Sequence, residues 1–162
     1  VIIFFKRICK HYPKEAACVL KSINHPFFSN LNRKQAYKHP NFILDYSWIM
    51  QHEKVDYITD IDYFMIFGND KYFEQVFANR TRILDLCSNN CIVITNKSDV
   101  VGQVAEKYGL AYLVDPYNDS EVQELIDYLI KHRKEVNRKK DVKGFREEYD
   151  YKKHYSKLLG IL

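Results

Sequence analysis

Glycine and proline are scarce in this chain, 5 and 4 of 162 residues, which excludes a flexible linker and a low-complexity segment. No apolar run approaches the roughly 20 residues that carry a helix across a bilayer. The opening Val1-Ile-Ile-Phe-Phe5 is too short for a secretory signal and has no charged segment before it. It reads as a buried strand, and a first residue of Val instead of Met is what a fragment of a longer chain would show. Cys9, Cys18, Cys87 and Cys91 form no Cys-x-x-Cys pair, and no histidine stands at zinc spacing beside them. Buried reduced thiols are expected, and with them a cytoplasmic protein. His11, His25, His39, His52, His132 and His154 show no metal spacing either, so neither a metal nor a cofactor is expected. The Gly-x-Gly-x-x-Gly turn of dinucleotide sites is missing after the first strand, as is the phosphate-binding loop of nucleotide hydrolases. There is no internal repeat.

What the chain does have is a regular alternation of strand and helix in its second half. Tyr63-Phe-Met-Ile-Phe67 is a continuous apolar run, the mark of a strand covered on both faces. Turn residues Gly68-Asn-Asp70 end it, and a helix over 79–88 follows, with Ile83, Leu84 and Cys87 inward and Asn89-Asn90 as its stop. Cys91-Ile-Val-Ile-Thr95 is the next strand. Ser98 or Asp99 caps a helix bearing Val100, Val101, Val104 and Tyr108, which Gly109 terminates. Ala111-Tyr-Leu-Val114 is a further strand. Ser120 with Gln123 suggests a capping box for a helix bearing Val122, Leu125, Ile126 and Leu129.

The first half is less regular. A helix is expected from Pro13 to about Ser22, a short strand at Phe42-Ile-Leu44, and a helix from Met50 to about Thr59, while 24–40 has no assignment. Together these patterns predict one α/β domain over 1–162. Its sheet is parallel, Rossmann-like and doubly wound, and residues 131–162 form a basic helical tail in two pieces broken near Gly144. Such sheets bind ligands beyond the C-terminal ends of their strands, which directs attention to the loops after Phe5, Phe67, Thr95 and Val114.

Net charge is only +4, but Lys131, Arg133, Lys134, Arg138, Lys139, Lys140, Lys143 and Arg146 crowd one segment. A solvated helix face is the plain reading, and an anionic membrane surface or nucleic acid the sharper ones. A dedicated nucleic-acid domain would be more basic overall, so nucleic acid is not the expected partner.

Phe77-Ala-Asn-Arg-Thr-Arg-Ile-Leu-Asp85 is the most informative segment. It resembles the Phe-x-x-Arg-Thr-Arg-x-Leu-Asp segment of a branch of the family 4 glycosyltransferases. Asp62–Phe67, Cys91–Thr95, Gly109–Val114 and the Tyr46-Ser-Trp48 turn resemble neighbouring family elements, so the likeness runs from about Asn41 to Leu129. The resemblance implies the C-terminal, nucleotide-sugar-binding half of a GT-B fold. It also implies a nucleotide diphosphate sugar (UDP, GDP or ADP type) as ligand, and an acceptor domain N-terminal to this one. The family carries two glutamates eight positions apart; Asp85 matches the second, which contacts the ribose, and Phe77 stands at the first, with Glu74 three residues earlier. Lys6 and Arg7 fall near the family's basic diphosphate-binding segment, with Phe5 in place of its glycine.

The residues themselves point the same way. Thr81 and Asp85 share a helix face at a spacing of four, and a carboxylate there can accept both hydroxyls of a ribose. Arg80 and Arg82 at the helix entrance suit a diphosphate, and are the candidate catalytic groups that neutralise the leaving charge. Asn96 and Lys97 follow a strand and open a helix, a second place for a phosphate. Asp70 is a candidate contact to the sugar, and Trp48 reads as core. A glycosyltransferase donor domain is therefore expected, inactive without its other half, with peripheral membrane contact through the basic tail compatible with it. The alternatives are a non-catalytic, degenerate module of the same fold, and a basic α/β nucleic-acid binder.

Overall fold

The computed structural model describes residues 8, 10–12, 14, 18–21, 42–45, 61–67, 81–150, 152 and 160. Their elements, in chain order, are β1 (Cys18–Lys21), β2 (Phe42–Asp45), β3 (Tyr63–Ile66), α1 (Thr81–Ser88), β4 (Ile92–Asn96), α2 (Val100–Lys107), β5 (Ala111–Val114), α3 (Asp119–Lys131), α4 (Arg133–Arg138) and α5 (Val142–Glu148). β1 pairs in parallel with β2, and β3, β4 and β5 form a parallel three-stranded sheet in sequence order.

β4 is the middle strand, and every residue of it is buried. That explains its unbroken apolar run: each face of the strand has a cover, so no position is left for solvent. Ile92 and Ile94 point to the face where Val122, Ile126 and Leu129 of α3 pack, joined by Val114, Val136 and Ile8. Val93 points to the other face, against Ile83, Leu86 and Cys87 of α1, Val101 and Ala105 of α2, and Phe145 of α5. The two helices that link consecutive strands thus share one face, and the chain crosses to the other after β5. This is the Rossmann-like, helix-on-both-faces arrangement that the alternation predicts.

Local chemistry accounts for the helix ends. α1 closes with Cys91 N–H donating to Leu86 O and Asn90 N–H to Cys87 O, both at 3.1 Å, while Asn90 takes a positive φ of 66°. α2 closes the same way, through Leu110 N–H to Ala105 O and Gly109 N–H to Glu106 O, both at 3.0 Å, with Gly109 at φ 66°. This pair of bonds around one left-handed residue satisfies carbonyls that a helix end otherwise strands. At Gly109 a side chain would also collide, since an added Cβ would lie 2.6 Å from Lys139 O. Asp99 is the cap of α2, its Oδ1 accepting from Gly102 N–H at 2.7 Å.

Three expectations change. Cys18–Lys21 is a strand and not the second half of a helix from Pro13. Its apolar run Ala-Ala-Cys-Val-Leu fits either pattern, and pairing with Phe42–Asp45, more than twenty residues on in the sequence, decides. The start of α3 is capped by Asn118, whose side chain accepts from Glu121 N–H; Ser120 lies inside the helix and donates its hydroxyl to Asn118 Oδ1 at 2.9 Å. Among the described residues of the basic tail, α4 and α5 part at 139–141 and not near Gly144, because Asp141 caps α5 by accepting from Gly144 N–H at 2.8 Å. Gly144 therefore sits in the first turn of α5. The strand expected at 1–5 and the helix expected at 50–59 lie outside the described residues.

Candidate functional site

In a parallel sheet the C-terminal ends of the strands make one rim, where helices begin and their N–H groups point outward. On this rim β4 delivers Thr95 and Asn96, both fully buried, and the loop after it delivers Asp99, 2% exposed. Three polar side chains at the end of an apolar strand are unusual, because each costs free energy unless bonded. Asp99 bonds to the start of α2. Among the described residues Thr95 Oγ1 finds no hydrogen-bond partner.

Lys97 is exposed and reaches across to the start of α3, where its Nζ lies 2.6 Å from Glu121 Oε1. Gln103 folds back and donates to Lys97 O at 2.7 Å. The pair ties the loop after β4 to the helix after β5. The loop after β5 is a tight turn in which Tyr117 N–H donates to Asp115 Oδ1 at 2.9 Å, leaving the Tyr117 ring 75% exposed. Val100, at the first position of α2, is the other large apolar side chain left outside among the described residues. In these loops the carboxylates of Asp99, Asp115, Asp119 and Glu121 outnumber the one cation, Lys97.

α1 places the other expected residues. Thr81 and Arg82 are exposed at its start, and Asp85 is half-buried one turn further along, on the face of Thr81. Asn89 Nδ2 donates to Asp85 O at 2.8 Å and approaches Asp85 Oδ1 at 3.4 Å. Because α1 runs back along the sheet, Thr81 is the nearer of the two to the strand C-terminal rim. Lys6, Arg7, Asp70, Phe77 and Arg80 lie outside the described residues. So the structure joins Asn96 and Lys97 on one rim and sets Thr81, Arg82 and Asp85 on the adjacent helix.

Comparison with known proteins adds no second line of evidence. No protein-family model, curated protein or solved structure matches the chain. What is shown is a small α/β domain with a parallel three-stranded sheet. Sequence reasoning passed over Glu121, the partner of Lys97, since a glutamate in the first turn of a helix reads there as an ordinary complement to the helix dipole. It also passed over Thr95, a strand-end residue whose burial no local pattern announces. Among the described residues no group of His, Cys, Asp and Glu is arranged to hold a metal ion. Nor is any helix among them long and apolar enough to cross a membrane.

The basic segment lies at the opposite rim, by the N-terminal ends of the strands. Arg146 Nε donates to Ser88 O at 2.8 Å, with Nη2 on the same oxygen, and Lys140 Nζ donates to Asn90 O at 3.0 Å. Asp141 N–H donates to Tyr108 O at 2.8 Å. Residues 139–146 thus cross the C-terminal ends of both α1 and α2. Arg133 grips Asp62 Oδ1 through Nε at 3.0 Å and Nη2 at 2.7 Å, and Lys139 pairs with Glu135 at 2.7 Å. Several of these cations thus have partners within the chain while their side chains stay largely exposed.

Proposed function

We propose that the chain is the donor-binding half of a glycosyltransferase similar to the GT-B enzymes of family 4, holding a nucleotide diphosphate sugar beyond the strand C-terminal rim. The observation that carries this reading is the Phe77–Asp85 segment leading into α1. Thr81 and Asp85 share one face of a helix that connects two parallel strands. In this reading Asp85 accepts the ribose hydroxyls. Arg80 and Arg82, with Lys6 or Arg7, neutralise the diphosphate as it leaves, which is electrostatic stabilisation of growing charge and needs no metal. The base, where one is used, comes from the acceptor domain, so the chain by itself binds donor without turning it over.

One observation favours the second reading, a non-catalytic module of the same fold. The described part of the rim is acidic and its one lysine is already paired with Glu121. Combined with Phe77 at the place of the family's first acid, this is a poor cradle for a diphosphate unless Lys6, Arg7 and Arg80 supply the charge. Nucleic acid and membrane surfaces gain less support, because Arg133, Lys139, Lys140 and Arg146 bond within the chain.

Calorimetric titration of UDP, GDP and ADP into the chain and into Asp85→Ala tests the proposal. Binding of one diphosphate, lost or weakened about tenfold or more in the variant, supports a donor site; a charge-assisted hydrogen bond of roughly 1.5–3 kcal/mol predicts that loss. Binding of none of the three would transfer the conclusion to the non-catalytic module.

A further inference from the structure

The segment that crosses the N-terminal rim also fixes the helix that carries Asp85. The last carbonyls of α1 each have a donor. Asp85 O accepts from Asn89, Leu86 O from Cys91 N–H, and Cys87 O from Asn90 N–H. The carbonyls of Ser88, Asn89 and Asn90 come next. Asn89 O receives the Cys91 thiol at 3.6 Å, and among the described residues Ser88 O and Asn90 O are reached from 58 and 50 residues away, by Arg146 and Lys140. Two cations at a helix C-terminus also match its negative dipole end. Between these two bonds Phe145, fully buried, inserts into the cluster of Ile83, Leu86 and Cys87 on the inner side of α1. The C-terminal end of α1 is thus held by polar bonds, and its inner side packs against Phe145 within the cluster it shares with the sheet. Asp85 is three residues before Ser88, within the same helical turn that Arg146 holds.

We propose that Arg146, with Lys140 beside it, is a positioning residue for Asp85: residues 139–146 are a brace that holds α1 in the register from which Asp85 meets the ribose of the bound nucleotide. The proposal rests on the reading of Asp85 as a ribose ligand. It gives the basic tail a role in donor binding from the rim opposite the donor, without contact to it.

The test uses the full chain with UDP, GDP and ADP as probes, well below the melting temperature of each variant so that the folded fraction does not enter. Arg146→Ala is expected to weaken the bound diphosphate about fivefold, the size of effect that remote coupling commonly gives. Arg146→Lys keeps a cation at Ser88 O and is expected to restore affinity to within about twofold. In the Asp85→Ala background, Arg146→Ala is expected to have no further effect, because a positioning residue acts only through the group it positions. Amide hydrogen exchange over 85–88 should quicken in Arg146→Ala and recover in Arg146→Lys. Unchanged affinity in Arg146→Ala, with Asp85→Ala weakened, overturns the positioning role and leaves the donor site standing. Equal losses from Arg146→Ala in both backgrounds overturn it as well, by assigning Arg146 a direct or a general role. A wild-type chain that binds none of the three probes removes the donor site and this proposal together.

Discussion

The two rims of the sheet are built from the same parts, strand ends and helix ends, yet they are finished differently. At the N-terminal rim the ends of α1 and α2 close on a left-handed residue, and residues 139–146 supply further donors, the Arg146 and Lys140 side chains to Ser88 O and Asn90 O and the Asp141 N–H to Tyr108 O. An aromatic group, Phe145 between Tyr108 and Tyr149 at centroid distances of 6.0 and 5.1 Å, seals the space beneath. At the C-terminal rim Thr95 Oγ1 is buried without a partner among the described residues, Tyr117 and Val100 face solvent, and one exposed ion pair ties the loops. The difference teaches where this molecule invests in stability and where it leaves chemistry open.

Breaking the closed rim should cost the most. Phe145→Ala removes a fully buried ring from the cluster shared by α1, α2 and β4. A loss of about 3–5 kcal/mol is expected, read as a lower urea midpoint, and that is a large share of the roughly 5–15 kcal/mol that hold a domain of this size. A loss below about 1 kcal/mol would mean that the brace is an ornament on the fold.

An intermediate effect is expected at alkaline pH. Burial pushes the Cys87 thiol up from 9.0 to about 12, with the charges of Cys91 and Asp99 adding to it. Burial likewise raises Tyr63 to about 12, with Asp62 beside it. Both groups are favoured neutral in the fold and ionise earlier in the unfolded chain. Their contribution is therefore complete below the unfolded pKa and is lost as pH rises through the window from about 9 to 12. Unfolding free energy measured across that window should fall, and Cys87→Ala should make the fall shallower, by up to one proton's worth or about 1.4 kcal/mol per pH unit. The same burial predicts that Cys87 resists alkylation at neutral pH until the chain unfolds. An unchanged slope in the variant would show that the cluster around α1 is open to water.

The smallest effect is expected at the open rim. Lys97→Ala removes an exposed ion pair whose lysine is 59% accessible, and should cost under about 1 kcal/mol in thermal or urea unfolding. A loss approaching that of Phe145→Ala would erase the distinction between the rims.

The same distinction separates what was legible in the sequence from what was not. The central strand, the helix on either side of it, a cap at Ser98 or Asp99 and the stop at Gly109 are all short-range signals. Each acts over a few residues, through periodicity, a side-chain oxygen near an N–H, or a backbone angle that glycine tolerates. The basic cluster was visible too, but its use was not. Read locally it is a solvated face, and its side chains are indeed largely exposed; what no local pattern announces is that Arg146 and Lys140 also donate to Ser88 O and Asn90 O. The candidate site divides likewise: Thr81 and Asp85 share a face because helical spacing makes them do so, while the pairing of Lys97 with Glu121 needs β4 and β5 side by side.

By itself, then, the sequence determined the alternation of the described strands and helices from Tyr63 to Lys131, the parallel arrangement it implies, and the buried character of β4. Only the tertiary structure decided that Cys18–Lys21 is a strand, that Asn118 caps α3, and that Arg146 and Lys140 of the exposed basic segment reach Ser88 O and Asn90 O. The physical reason is range. Helix periods and caps are fixed by neighbours within about five residues. Strand pairing and side-chain bonds such as Arg146 to Ser88 join groups tens of residues apart, and their geometry exists only once the sheet and its helices have been assembled.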